Sequence, residues 1–144
     1  MKLPFPLFPT WFRWLGVFTI AGFIFYASII TVPPETVIDD LSPWFIALSY
    51  WRHIVAYATL SLSLAYATDH WRIPSKHLAI GIICLVATYG AVIEVGQYFV
   101  PYRHFDLLDI VVNTIGASLV IVYYLIRPYI ALQPLPALYD AIRT

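Results

Sequence analysis

The sequence predicts an all-α fold, an integral membrane four-helix bundle built as a single domain over residues 1–144. Three observations predict it. Hydrophobic residues make up 61% of the chain and charged residues 11%, where soluble domains hold roughly 45–50% and about 25%. Mean hydropathy is +0.79. Four apolar stretches, each of about 20 residues and so long enough to cross a bilayer core, are divided by prolines and charges.

The elements follow in order. Pro4, Pro6 and Pro9 keep the first ten residues out of a helix, and Phe5 and Phe8 suit a membrane interface. The first span runs over about 11–32, with Trp11 and Trp14 as belt residues and Pro33-Pro34 as its stop. Lys2 and Arg13 bracket this start, and the apolar run is too long for a signal-peptide core, so a retained span is expected. Residues 33–49 form the longest loop, acidic through Glu35, Asp39 and Asp40, with Trp44 and Phe45 against the headgroups. The second span covers about 50–68, and a polar loop with Pro74 follows. The third covers about 77–100, and Pro101 to His104 make a tight connection. The fourth covers about 105–126 and closes at Arg127-Pro128. The tail, with Pro134 and Pro136, is expected to be irregular.

Charge sets an orientation. Four spans put Lys2, Arg13, Arg72, Lys76, Arg127 and Arg143 on one side and only Arg52 and Arg103 on the other. This bias predicts cytoplasmic N- and C-termini in a multi-pass membrane protein. A net charge of zero gives no footprint for nucleic acid. The single cysteine, Cys84, excludes an intrachain disulfide and zinc held by cysteines, and reads as packing.

Residues 89–116 carry the chemistry. They bring Glu94, Gln97, Arg103, Asp106, Asp109 and Asn113 into or beside apolar helices. At about 100° per residue, Asp106, Asp109, Asn113 and Gly116 share an arc of about 80°. Ala87, Gly90, Glu94 and Gln97 form one stripe of the third span, and His53, Tyr57, Leu60 and Leu64 one stripe of the second. Under the orientation above, all these groups lie at similar depth in the outer half of the membrane. Lipid cannot satisfy them, so the stripes should meet one another or a wet cavity. Gly90 and Gly116 should let the helices come close. The first span lacks such a stripe, with Thr19 and Tyr26 its best candidates, and reads as packing and anchor.

Three carboxylates close together must be protonated, paired or bound to a cation. Glu94, Asp109 and His53 are the candidates for acid–base catalysis. Arg103, Arg52, Gln97, Asp106, Asn113 and Tyr57 are the candidates for holding a headgroup, the arginines because their planar fork suits phosphate. No cofactor is expected. A divalent cation on Glu94, Asp106, Asp109 and Asn113 is conceivable from their oxygens, although no metal-loop spacing is present. The structural alternative is a latch: Arg103 paired with Asp106 or Glu94, and Asn113 and Gln97 bonded across helices.

The pattern His53-x-x-x-Tyr57, Glu94-x-x-Gln97, Arg103-x-x-Asp106-x-x-Asp109-x-x-x-Asn113-x-x-Gly116 resembles the VanZ-like family over roughly residues 50–122. The family form carries a lysine or similar residue shortly before the histidine. Here Arg52 directly precedes it. The resemblance implies a small bacterial polytopic membrane protein, in a family whose namesake is associated with resistance to teicoplanin, a glycopeptide with a lipid tail.

Two functions fit the residues. One is an envelope protein whose outward polar pocket binds an anionic lipid, such as a polyprenyl-phosphate or a lipid-linked cell-wall precursor. The other is an intramembrane enzyme acting on such a lipid, with Glu94, Asp109 or His53 as acid or base and Arg103 stabilising negative charge. A transporter fits less well, since four spans are few and no inverted repeat is visible.

Overall fold

The computed structural model describes residues 2–31 and 48–136. The expected loop 33–49, with Glu35, Asp39, Asp40, Trp44 and Phe45, lies almost wholly outside them. Four long helical segments are present. Helix α1 spans Thr10–Phe25 and widens into a π turn, Tyr26–Ile30. Helix α2 spans Leu48–Ala67, and α3 spans Ser75–Gln97. The fourth segment is α4, Leu107–Ser118, continued after a break at Leu119 by α5, Val120–Ile126. These bounds lie within three residues of the expected spans wherever both ends are described.

Three segments, Thr10–Ile30, Ser75–Gln97 and Leu107–Tyr129, are long and apolar enough to cross a membrane. Helix α2 has 20 residues and the length to do so. Its Arg52, His53, Ser49, Ser61 and Ser63 make it the most polar of the four. Hydroxyls on the helices are satisfied within their own turns: Thr59 donates to Val55 O, Ser61 to Ala58 O and Thr114 to Ile110 O. The outward faces carry large apolar side chains, among them Phe18, Phe23, Leu85, Val92 and Leu125. Exposed apolar surface on every helix fits a membrane protein.

Helices α2 and α4 make the closest pair. A Cβ on Gly116 would stand 2.6 Å from the Ile54 carbonyl oxygen, so only glycine permits this approach. A Cβ on Gly90 would meet Tyr57 Cε1 at 2.9 Å and Asn113 Nδ2 at 3.0 Å. Both glycines thus do what their place on the stripes suggests. Ile24 of α1, Leu60 and Leu64 of α2, Val86 of α3 and Val120 of α5 fill the core.

The all-α expectation is corrected by a two-stranded parallel pair. Strand β1, Leu3–Leu7, lies beside β2, Ile130–Pro134, with Leu3 opposite Ile130. The expected irregular tail and interfacial start are therefore ordered against each other. The physical reason lies in the spacing of the prolines. Pro4 and Pro6 stand two apart, so both missing N–H groups fall on one side of the strand, and the other side keeps its full hydrogen-bonding capacity. Tyr66 of α2 fixes β1 by donating to Pro6 O and accepting from Phe8 N–H.

That end of the bundle holds a network of charge. Buried Arg13 donates to the Tyr66 and Ala67 carbonyls and so caps α2. Arg127 grips both oxygens of Asp69, and the Tyr123 hydroxyl donates to the same carboxylate. Burial pushes the Asp69 pKa up, but the hydrogen bonds from Arg127 and Tyr123, with the Arg127 and Arg13 charges, outweigh it and hold the carboxyl below its usual value.

Candidate functional site

The opposite end gathers the end of α1 and α3 and the start of α2 and α4. His53 lies early in α2, Glu94 in the last turn of α3, and Asp109 in the first turn of α4. Their ligating atoms lie within 4.8 Å of one another. His53 Nε2 is 3.6 Å from Asp109 Oδ2, and His53 Nδ1 is 2.8 Å from Asn113 Oδ1. The amide oxygen accepts, so Nδ1 carries the proton and Nε2 turns toward the carboxylates. Asn113 is fully buried and performs the cross-helix bonding expected of it.

Burial grades across the site. His53 and Asp109 side chains keep 21% and 18% of their surface, whereas Glu94 and Asn113 keep none. Tyr57, one turn below His53, is 2% exposed, and its ring lies parallel to the imidazole at 6.4 Å. Exposure thus falls from His53 and Asp109 at the outer edge of the cluster to Glu94 inside it, and this graded cluster is called the recess below.

Hydrogen-bond accounting separates this recess from an ordinary helix contact. Among the described residues, neither Glu94 oxygen has a hydrogen-bond partner, nor does the Tyr57 hydroxyl or Asn113 Nδ2. Buried polar atoms are nearly always paired, and a carboxylate with both oxygens unpaired costs several kcal/mol if it is charged.

The other expected site residues lie elsewhere. Arg103 does not pair with Asp106 or Glu94. Its Nη2 donates to Ala27 O at 2.6 Å and Thr31 O at 2.7 Å, on the π turn that ends α1. Gln97 donates to Ser28 O, and Tyr102 to Ile29 O and Ile30 O. Of the latch reading only the pairing of Arg103 is corrected, since Asn113 and Gln97 do bond across helices. A π turn leaves carbonyls without their helical partners, and these three side chains capture them. The first helix, expected as packing and anchor, contributes through its backbone, while Tyr26 is exposed. Asp106 is the N-cap of α4, its Oδ1 accepting from Leu108 N–H at 2.8 Å. Arg52 is exposed beside His53 near the start of α2. The expected site thus divides into a recess of His53, Tyr57, Glu94, Asp109 and Asn113 and a frame of Gln97, Arg103 and Asp106. Tyr102 belongs to the frame and was missed by sequence reasoning. Its only signal was an aromatic next to Arg103 in the α3–α4 connection.

A family model described as VanZ/LLP1 matches residues 7–128. No curated protein and no solved structure matched the chain. The match covers well over half of the chain, which belongs to the VanZ/LLP1 family.

Proposed function

With that membership as premise, we propose that the chain is a multi-pass protein of the bacterial cell membrane that binds the polar head of an envelope lipid in the His53–Glu94–Asp109 recess. One observation carries the reading. Glu94 lies at the base of the recess with both oxygens unpartnered. A helix latch satisfies its own groups, and this one leaves its most buried carboxylate unsatisfied. The unpaired groups are two carboxylate oxygens, one amide donor and one hydroxyl, so a bound head that brings donors or a cation suits Glu94. A lipid-linked cell-wall precursor or a polyprenyl-phosphate suits the recess, with sugar or alcohol hydroxyls directed to Glu94 and Asp109. Arg52, at the mouth beside His53, suits its phosphate. Arg103 is engaged with the carbonyls of α1 and frames the recess.

The basic bias places the Arg13–Asp69–Arg127 end in the cytoplasm with both termini. The recess then opens toward the outer leaflet, where cell-wall intermediates and lipid-tailed glycopeptides meet the membrane. A contribution to teicoplanin-type resistance follows as a testable corollary: deletion lowers the inhibitory concentration of teicoplanin.

The His53 geometry favours a second reading. Asn113 fixes Nδ1 and leaves Nε2 facing a carboxylate at the mouth. An imidazole held in this way can take a proton from a lipid hydroxyl or a water, which makes the recess an intramembrane enzyme site with His53 as base.

The test is native mass spectrometry of detergent-extracted protein, wild type beside Glu94→Gln and Asp109→Asn. The expected result is a lipid retained by wild type and lost from both folded variants. If wild type retains no lipid in mild detergents, or all three retain the same lipid, the reading fails. Conversion of the retained lipid by wild type and not by His53→Gln selects the enzyme.

A further inference from the structure

We propose that His53, Glu94 and Asp109 hold a single divalent cation of the first transition row, of the Mn2+ or Zn2+ class. The inference rests on reading this recess as a ligand site, and it names the partner that the carboxylates face.

The argument starts from proton counting. Asn113 Oδ1 accepts from His53 Nδ1–H, so in the neutral imidazole Nε2 offers its lone pair on the side of Asp109. A His53 ring nitrogen, a Glu94 oxygen and an Asp109 oxygen lie within 4.8 Å of one another, and Nε2 is the nitrogen 3.6 Å from Asp109 Oδ2. Among the described residues no arginine or lysine side chain bonds to them, because Arg103 donates to α1 and Arg127 to Asp69. Two carboxylates carry two negative charges, which one dication cancels.

Two further features favour a metal over a shared proton. The Glu94 carboxylate is wholly buried with both oxygens unpartnered, and it faces the imidazole and Asp109. A proton would satisfy at most one of those oxygens. The His53–Asn113 contact also has the form of a metal-ligand support, in which the remote ring N–H is held by an oxygen so that the near nitrogen keeps its orientation. Tetrahedral ligands of one ion at about 2.1 Å stand about 3.4 Å apart, so the widest pair must close by up to about 1.4 Å, which small rotations of the three side chains can supply. One imidazole and two carboxylates suit Mn2+ or Zn2+, since Ca2+ and Mg2+ prefer all-oxygen shells. Three protein ligands also leave room in the shell for an oxygen of a headgroup phosphate or of water.

The experiment uses full-length protein in detergent, stripped with a chelator and titrated with MnCl2 or ZnCl2 by calorimetry, with bound metal counted by mass spectrometry. The expected result is one equivalent for wild type. Glu94→Gln and Asp109→Asn each weaken binding at least tenfold, and Asn113→Ala weakens it about tenfold through the imidazole. Asp106→Asn, which keeps the α4 cap and removes a nearby charge, binds as wild type does. Melting in chelator checks that each variant is folded, and Asp109→Asn at the mouth decides the question if Glu94→Gln does not fold. Wild type that takes up less than a tenth of an equivalent overturns the proposal. So does equal loss in Asp106→Asn and Asp109→Asn, which would mark a diffuse acidic field. Because the titration needs no lipid, metal binding without a co-purified lipid upholds this inference while the lipid reading fails, and lipid retention without metal does the reverse.

Discussion

Two carboxylates at opposite ends of the bundle have opposite fates. Asp69 receives Arg127 on both oxygens and Tyr123 on one. Glu94 is more deeply buried, and neither of its oxygens has a side-chain partner or a well-formed hydrogen bond among the described residues, although the Asp106 backbone N–H lies near it. What stays unpaired beside Asp69 is Arg13 Nε and the Tyr124 hydroxyl, both with acceptors or aromatic rings nearby. A chain that can complete one carboxylate so fully leaves the other incomplete for a reason outside its own stability. The Asp69 end is scaffold, and the Glu94 end is the proposed receptacle.

The largest effect should come from breaking the scaffold. Asp69→Ala strands Arg127, whose side chain is 30% exposed. Breaking a fully buried pair costs about 3–5 kcal/mol, and partial solvation reduces the expected loss here to about 3 kcal/mol. Thermal unfolding in detergent measures it. The same pair gives a pH dependence. The folded pKa of Asp69 is depressed, so its contribution is complete above the unfolded value near 4 and is lost as pH falls through the lower folded value. The midpoint should therefore drop below about pH 4 in wild type, and this component should vanish in Asp69→Asn.

Gly116→Ala comes next. Its Cβ would press on the Ile54 carbonyl, a backbone atom that cannot rotate away. Overpacking of this kind costs about 2 kcal/mol, and parting α2 from α4 should also loosen the His53–Asn113 contact. Both losses should appear together, as a lower melting point and weaker ligand retention. Asp106→Ala removes an N-cap and should cost about 1 kcal/mol, with ligand retention intact once the protein is folded.

The smallest expected change in stability sharpens the contrast most. In protein stripped of metal and lipid, Glu94→Gln should leave the melting point unchanged or raise it by the equivalent of about 1 kcal/mol, because an unpaired buried charge is removed. A loss above about 2 kcal/mol would show that Glu94 is scaffold after all, and the two ends would then be alike.

The sequence carried the spans, the stripes and the meeting of His53, Glu94, Asp109 and Asn113 at one depth, because helical periodicity and hydrophobic length are local. It also marked Gly90 and Gly116 by their places on the polar stripes. What it did not carry was partner choice. Nothing local says which helix end needs capping, so Arg13 reads as an anchoring charge and Arg103 as a phosphate ligand. In fact Arg13 closes α2 and Arg103 closes α1. The strand pair was hidden for a similar reason. Its two halves lie more than 120 positions apart, and prolines at Pro4 and Pro6 read as breakers unless their alternation is noticed.

That strand pair also sets an order of assembly. Leu3–Leu7 leaves the ribosome before the described helices, and its partner Ile130–Pro134 follows them. Until β2 arrives, the hydrogen bonds that tie this stretch to the described helices are those of Tyr66 to Pro6 O and Phe8 N–H. The strand pair therefore closes like a clasp after the described helices, and a chain arrested before residue 130 should keep the His53–Glu94–Asp109 cluster but lack that clasp.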